Sequence, residues 1–205
     1  MEHLLIALPA VFAIVDPLGC VPLFIAMTAR DTPEKARQMA LKACVTGAGL
    51  LIVFALFGGL IFKLFGVTLG AFRVAGGMLL MLTSLDMLRG KQSATRTSDE
   101  EEKEGVEKDD IAIVPLAMPL LAGPGSIATV MVLMAEGDGL QTGTAVVLSI
   151  LITFAAAYAI LSGAPYIKRV LRQTGISVMQ RVFGLILGAI AVEVIANGVR
   201  ALMKA

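Results

Sequence analysis

The chain has 205 residues, 57% hydrophobic and 16% charged, with a formal net charge of +1. A soluble domain carries about 45–50% apolar and about 25% charged residues, so this balance excludes an ordinary water-soluble globule. One His, no Trp and no clustered basic face give nucleic-acid binding no support, and two cysteines outside any CxxC pattern suggest no disulfide framework.

The charges are clustered, and several intervals between them match or exceed the roughly 20 apolar residues that a membrane-crossing helix needs. Six spans follow in order: Leu4–Ala29, Ala40–Phe62, Val67–Leu88, Ile111–Ala135, Leu140–Ile167 and Val178–Met203. The start does not read as a cleavable signal peptide, because Glu2 and His3 supply no basic n-region and Asp16-Pro17 interrupts the apolar run.

That interruption is the first span's main feature. A proline removes a backbone donor and disfavours helix in the residue before it. A carboxylate at bilayer depth costs roughly 2.5 kcal/mol or more. Asp16-Pro17, followed by Gly19 and Pro22, therefore predicts two half-helices, with Asp16 capping the second and Pro17 at its first position.

Spans two and three are glycine-rich, with Gly47, Gly49, Gly58, Gly59, Gly76 and Gly77. Gln92 to Asp110 is a hydrophilic linker with an acidic run, Asp99-Glu100-Glu101-Glu102, of the kind that stays solvated. It divides the chain into 1–90, a cytoplasmic linker over 91–110, and 111–205.

The fourth span repeats the first. Pro119 and Gly123-Pro124-Gly125-Ser126 lie in its middle, and a shift of 107 residues places Asp16-Pro17 on Gly123-Pro124. Arg73-Val74-Ala75-Gly76 likewise matches Arg181-Val182-Phe183-Gly184 at a shift of 108. Two three-span halves must sit in opposite orientations, and paired interruptions in such halves point to a transporter site between them. The expected fold is an all-α integral membrane protein of six transmembrane helices, built as two inverted three-helix repeats with helices 1 and 4 broken. In the last span, Gly184 and Gly188 form a GxxxG pair suited to close helix packing.

Orientation follows from the basic residues. Those at Arg30–Lys42, Arg89–Lys108 and Lys168–Arg181 make thirteen of the 17 and fall on one side. The positive-inside rule makes that side cytoplasmic and puts both termini outside.

Candidate chemistry concentrates at the breaks. Asp16 is either a helix cap or a cation site. Gly125, Ser126 and Ile127 open a half-helix whose dipole and free amides favour an anion, or else form a kink satisfied internally. With Asp16 and Gly19 facing an ammonium, and Gly123, Gly125, Ser126 and Ile127 facing a carboxylate, the pair suits a small zwitterionic solute. Glu193 lies deep in the sixth span and reads as half of a structural pair or, with Asp16, as an ion-coupling group. No HExxH, GxSxG or Walker-type pattern is present, so no catalytic, metal or cofactor residues are assigned and an enzyme is not expected. Two readings compete with transport: a structural or signalling membrane protein, and a thiol relay through Cys20 and Cys44.

Pro9 through Phe24, with its DPxGxxP core, and Pro119 through Thr129, with AGPGSIAT, closely resemble the signatures of the MarC family of bacterial and archaeal inner-membrane proteins. The resemblance covers essentially the whole chain. It implies a six-helix protein of the inner (plasma) membrane related to the LysE-type transporter superfamily, with a role in moving neutral amino acids such as glycine and alanine. The residues it carries over are Asp16, Pro17, Gly19 and Pro22, then Gly123, Pro124, Gly125 and Ser126. Some members of that family carry Asn at the position of Asp16. The partners implied are the lipid bilayer and a small solute, with H⁺ or Na⁺ as coupling ion and the oligomeric state open.

Overall fold

The structure, a computed structural model, describes residues 2–90, 112–136 and 139–203. The expected acidic linker, Gln92–Asp110, lies outside the described residues. Among the described residues eight helical elements follow one another: α1 (Glu2–Val15), α2 (Val21–Met27), α3 (Pro33–Phe65), α4 (Leu69–Arg89), α5 (Ala112–Leu121), α6 (Pro124–Glu136), α7 (Leu140–Ser162) and α8 (Ala164–Met203). Among the described residues four segments are long and apolar enough to cross a membrane on their own: 33–60, 69–89, 141–162 and 174–203. The segments 3–15 and 124–135 are apolar but shorter.

Local chemistry sets most boundaries. Thr32 starts α3 by accepting the Lys35 N–H at 3.3 Å, with Pro33 as its first residue. Thr68 does the same for α4 through the Ala71 N–H at 3.2 Å. Gly90, at φ +66°, ends α4 by donating to the carbonyls of Asp86 and Met87. α5 winds as a π-helix and contains Pro115 and Pro119, neither of which can donate to a ladder. Its last turn closes over five residues, Ala122 N–H to Ala117 O at 2.9 Å.

Several elements differ from the sequence expectation. α3 begins at Pro33 rather than Ala40, because hydropathy marks the apolar stretch and the charged Glu34–Arg37 turn continues the same helix. Ser162 and Ala164 are separated only by Gly163, so the basic stretch after span five is helix rather than loop. Within α8 the backbone leaves helical values at Arg172 (φ 51°, ψ 176°), which divides it into two pieces. Pro17 lies in a turn over 17–20, and α2 starts at Val21 with Pro22 in its first turn. Pro119 lies inside α5, and the chain changes course only at Ala122–Gly123.

The helices of the two sequence halves interdigitate. α1 packs on α7 and α5 on α3; α2 packs on α8 and α6 on α4; α3 meets α7. The most extensive packing joins α4 to α8. These two run antiparallel, with small residues seven apart on each. A Cβ on Gly70 would lie 3.1 Å from Gly198 O, one on Gly77 3.1 Å from Ala191 O, and one on Gly184 3.1 Å from Ser84 O. The hydroxyl of Ser84 donates across this seam to Gly184 O at 2.7 Å. Backbones this close need small residues, and the hydrogen bond adds to the seam where lipid offers no competing partner. The GxxxG pair therefore packs within the bundle, against Ser84 and Met87.

Candidate functional site

Asp16 sits where α1 stops. It is 1% exposed and takes a left-handed backbone, φ 47°. Asp tolerates that region better than most residues because its short side chain bonds locally. Here Oδ1 accepts the Gly19 N–H at 3.0 Å, while the Asp16 carbonyl accepts the Cys20 N–H at 3.3 Å. The carboxylate thus closes the turn over 17–20 but does not cap α2, whose N-cap position is Cys20 with no side-chain hydrogen bond. A Cβ on Gly19 would overlap the Asp16 carboxylate and come within 2.5 Å of Gln180 Nε2. Asp16, Gly19 and Gln180 of α8 therefore form one packed polar cluster.

The second interruption is built differently. α5 ends at Leu121 and α6 begins at Pro124. Ser126, 3% exposed, donates its hydroxyl to Leu121 O at 3.2 Å and so satisfies a terminal carbonyl of α5. Thr129 donates to Gly125 O at 2.8 Å. The Ile127 N–H already donates to Gly123 O at 3.0 Å, so its amide belongs to the helix rather than to a ligand. Gly125 and Ser126 keep the first-turn position whose amides have no place in the intrahelical ladder.

The two interruptions meet through an apolar contact. A Cβ on Gly125 would stand 3.2 Å from Ile14 Cδ1 and 3.7 Å from Thr83 Oγ1. Between them is a cavity of about 10 Å³ lined by Ile14, Thr83, Leu120 and residues 123–126. That is room for about one water molecule and no more. Asp16 does not line it. The sequence reading put Asp16 and Ser126 around one shared pocket; the structure turns Asp16 toward Gln180 and fills the crossing with Ile14.

Two larger cavities are also present among the described residues. One of about 200 Å³ is lined from α1, α4, α6 and α8 by Ile6, Ala10, Leu80, Thr129, Glu193 and Asn197, among others. It sits about one helical turn from the central cavity, since Ala10 precedes Ile14, Leu80 precedes Thr83 and Thr129 follows Ser126. The other, about 470 Å³, lies by α2, the start of α3 and the α7–α8 junction, with Phe24, Arg37, Ser162 and Tyr166 in its wall. Asp31 also lines it and pairs with Lys35 at 2.7 Å.

The remaining sequence candidates fall outside the crossing. Glu193 is exposed on α8 and lines the 200 Å³ cavity. Arg181 is exposed near the end of α4, 3.8 Å from the Cβ position of Gly90. Cys20 and Cys44 are not disulfide-bonded and lie buried in the apolar core. Among the described residues no group of three or more His, Cys, Asp or Glu is placed to hold a metal ion. Sequence reasoning missed Ile14, Thr83 and Gln180. Their positions matter only through partners far along the chain, although Gln180 adjoins the repeated Arg181 motif.

Long apolar helices, glycine-lined seams and side chains such as Leu56, Phe57, Leu60, Leu185 and Val192 turned outward define an α-helical integral membrane protein. Comparison gives it a family. Residues 1–203 match the family of MarC integral membrane proteins, and the chain belongs to it. A UPF0056 membrane protein of Methanocaldococcus jannaschii is 43% identical over 201 residues, covering 98% of this chain and 97% of the relative. One from Aquifex aeolicus is 37% identical, over 95% and 91% of the two chains. UPF0056 membrane protein YhcE of Escherichia coli is 34% identical, over 92% and 88%. No solved structure matches.

Proposed function

We propose that the protein is a secondary transporter of small solutes in the bacterial or archaeal inner membrane, with glycine- and alanine-like amino acids as its substrates and alternating access as its mechanism. In this reading α1 and α2 form one interrupted span and α5 and α6 another. The observation that carries it is the contact of the two interruptions at Ile14 and Gly125, with a larger cavity one helical turn away on the same helices. A transporter with its centre shut would have such a feature: a vestibule that ends on a thin barrier.

The inverted arrangement draws support from direction. α1 and α6 run antiparallel through Ala10–Thr129 and Ile14–Gly125, as α4 and α8 do. The corresponding packings recur between the halves, α1 on α7 with α5 on α3. Interdigitation also bears on mechanism. A whole half rocking as one body would have to strip its helices from the other half. α2, only seven residues long and beside the 470 Å³ cavity, is the better candidate for movement.

The amino-acid specificity comes from the family resemblance and from the polar groups at the breaks. Gly125 and Ser126 would meet a carboxylate once Ile14 withdraws. A positive gradient-linked role for Asp16 or Glu193, with H⁺ or Na⁺, belongs to the same proposal. The 10 Å³ centre also suits a structural or signalling protein that moves nothing. Counterflow of labelled glycine and alanine in proteoliposomes, with and without each ion gradient, separates the two. Exchange above that of empty liposomes supports transport; its absence for both solutes under every gradient favours the other reading.

A further inference from the structure

Glu193 presents a problem of solvation. It lies ten residues before the last described residue of an apolar α8, and it is exposed. An ionisable group in a membrane helix normally faces a bundle interior or a water-filled cavity, because exposure to lipid is costly. Glu193 does face one: the 200 Å³ cavity, where Asn197 stands one turn further along the same helix face. The opposite wall is apolar, with Ala10, Leu80 and Val132 all buried.

We propose that this cavity binds a small organic ammonium, with Glu193 as the counter-ion and Asn197 as a further acceptor. A carboxylate at the rim of an otherwise apolar pocket selects a cation that brings its own hydrocarbon body. A divalent cation such as Ca²⁺ takes about six to eight oxygen ligands. The side-chain oxygens here come from Glu193, Asn197 and Thr129 alone, and the Thr129 hydroxyl is already engaged with Gly125 O. The site's role as a vestibule rests on the transport reading, since it lies one turn from the Ile14–Gly125 barrier on the same helices. Its capacity to bind an ammonium does not.

The test is titration of the full chain in detergent micelles with n-propylammonium chloride, read by calorimetry and by Tm, against 1-propanol, sodium propionate and sodium chloride. Saturable heat and a Tm rise with propylammonium alone are expected. Affinity should fall about tenfold or more in E193Q, as loss of a charged hydrogen-bond partner implies, and return in part in E193Q/N197D. Ala10→Leu, which fills the cavity and leaves both polar groups in place, should abolish saturation. Wild-type protein that responds to propylammonium no more than to sodium chloride overturns the site, as does unchanged affinity in E193Q or in Ala10→Leu. If E193Q does not fold, Ala10→Leu decides alone. Alanine counterflow by a protein that ignores propylammonium removes this site and leaves transport standing; saturable propylammonium binding without any counterflow upholds the site and removes transport.

Discussion

Asp16 Oδ1 accepts the Gly19 N–H at 3.0 Å, and the same carboxylate occupies the space a side chain at position 19 would need. The two residues are therefore one device: the acid turns the chain, and the missing Cβ lets it do so against Gln180. Gly19→Ala must displace Asp16 or Gln180, and overpacking of this kind costs about 1–3 kcal/mol. Thermal unfolding in detergent should show a clear fall in Tm.

The two functions open to Asp16 can be separated by a pair of substitutions. Asp16→Asn keeps an acceptor for Gly19 N–H and the tolerance of positive φ, so stability should change by less than about 1 kcal/mol. Asp16→Ala removes the bond to Gly19 N–H, at about 1 kcal/mol, and adds backbone strain of about 1–3 kcal/mol. If charge at position 16 serves ion coupling, Asp16→Asn should also lose gradient-driven uptake while keeping its Tm. Retained coupling in that variant confines Asp16 to closing the turn.

The α4–α8 seam predicts opposite signs for glycines that look alike in sequence. Gly77→Val would press on Ala191 O at 3.1 Å and Ile195 Cγ1 at 2.6 Å, so it should separate the helices and lower Tm sharply. Gly49 and Gly59 have nothing within 4 Å of a Cβ position. Alanine there removes the helix penalty of glycine and should raise stability by about 0.5–1 kcal/mol.

Ile14 lies against Gly125 and lines the central cavity, and in the proposed transport it is the gate. Ile14→Ala should join the central cavity to its neighbour at a cost of about 2–5 kcal/mol in stability. Counterflow of alanine should become faster or less coupled to the gradient. A variant that folds and leaves the rate unchanged shows that Ile14 is ordinary core.

Both interruptions were legible in the sequence, because proline, glycine and aspartate have no inexpensive place in an apolar run. That Asp16 bonds locally was also legible, but its bond closes the turn over 17–20, and α2 starts four residues later than Pro17 with Cys20 at its N-cap. What each break faces was not legible. Gln180 reaches Gly19 from 161 positions along the chain, and Ile14 reaches Gly125 across 111. Hydropathy located the apolar helices but missed their ends: Glu34–Arg37 is helical yet polar enough to read as loop, and the fifth span, read as Leu140–Ile167, divides at Gly163. The seven-residue spacing of Gly70, Gly77 and Ser84 is visible in α4, but its meaning depends on Gly184, Ala191 and Gly198 running the other way. Nothing in α5 beyond Pro115 and Pro119 marks a π-helix.

The central claim is that the crossing opens alternately to the two sides of the membrane. Its most direct test is Ser126→Cys in a background where Cys20 and Cys44 are Ala, labelled with a membrane-impermeant thiol reagent in vesicles of each orientation. Transport by alternating access predicts slow labelling from both sides, reduced by alanine. Labelling from one side only, or from neither under any gradient, would contradict it.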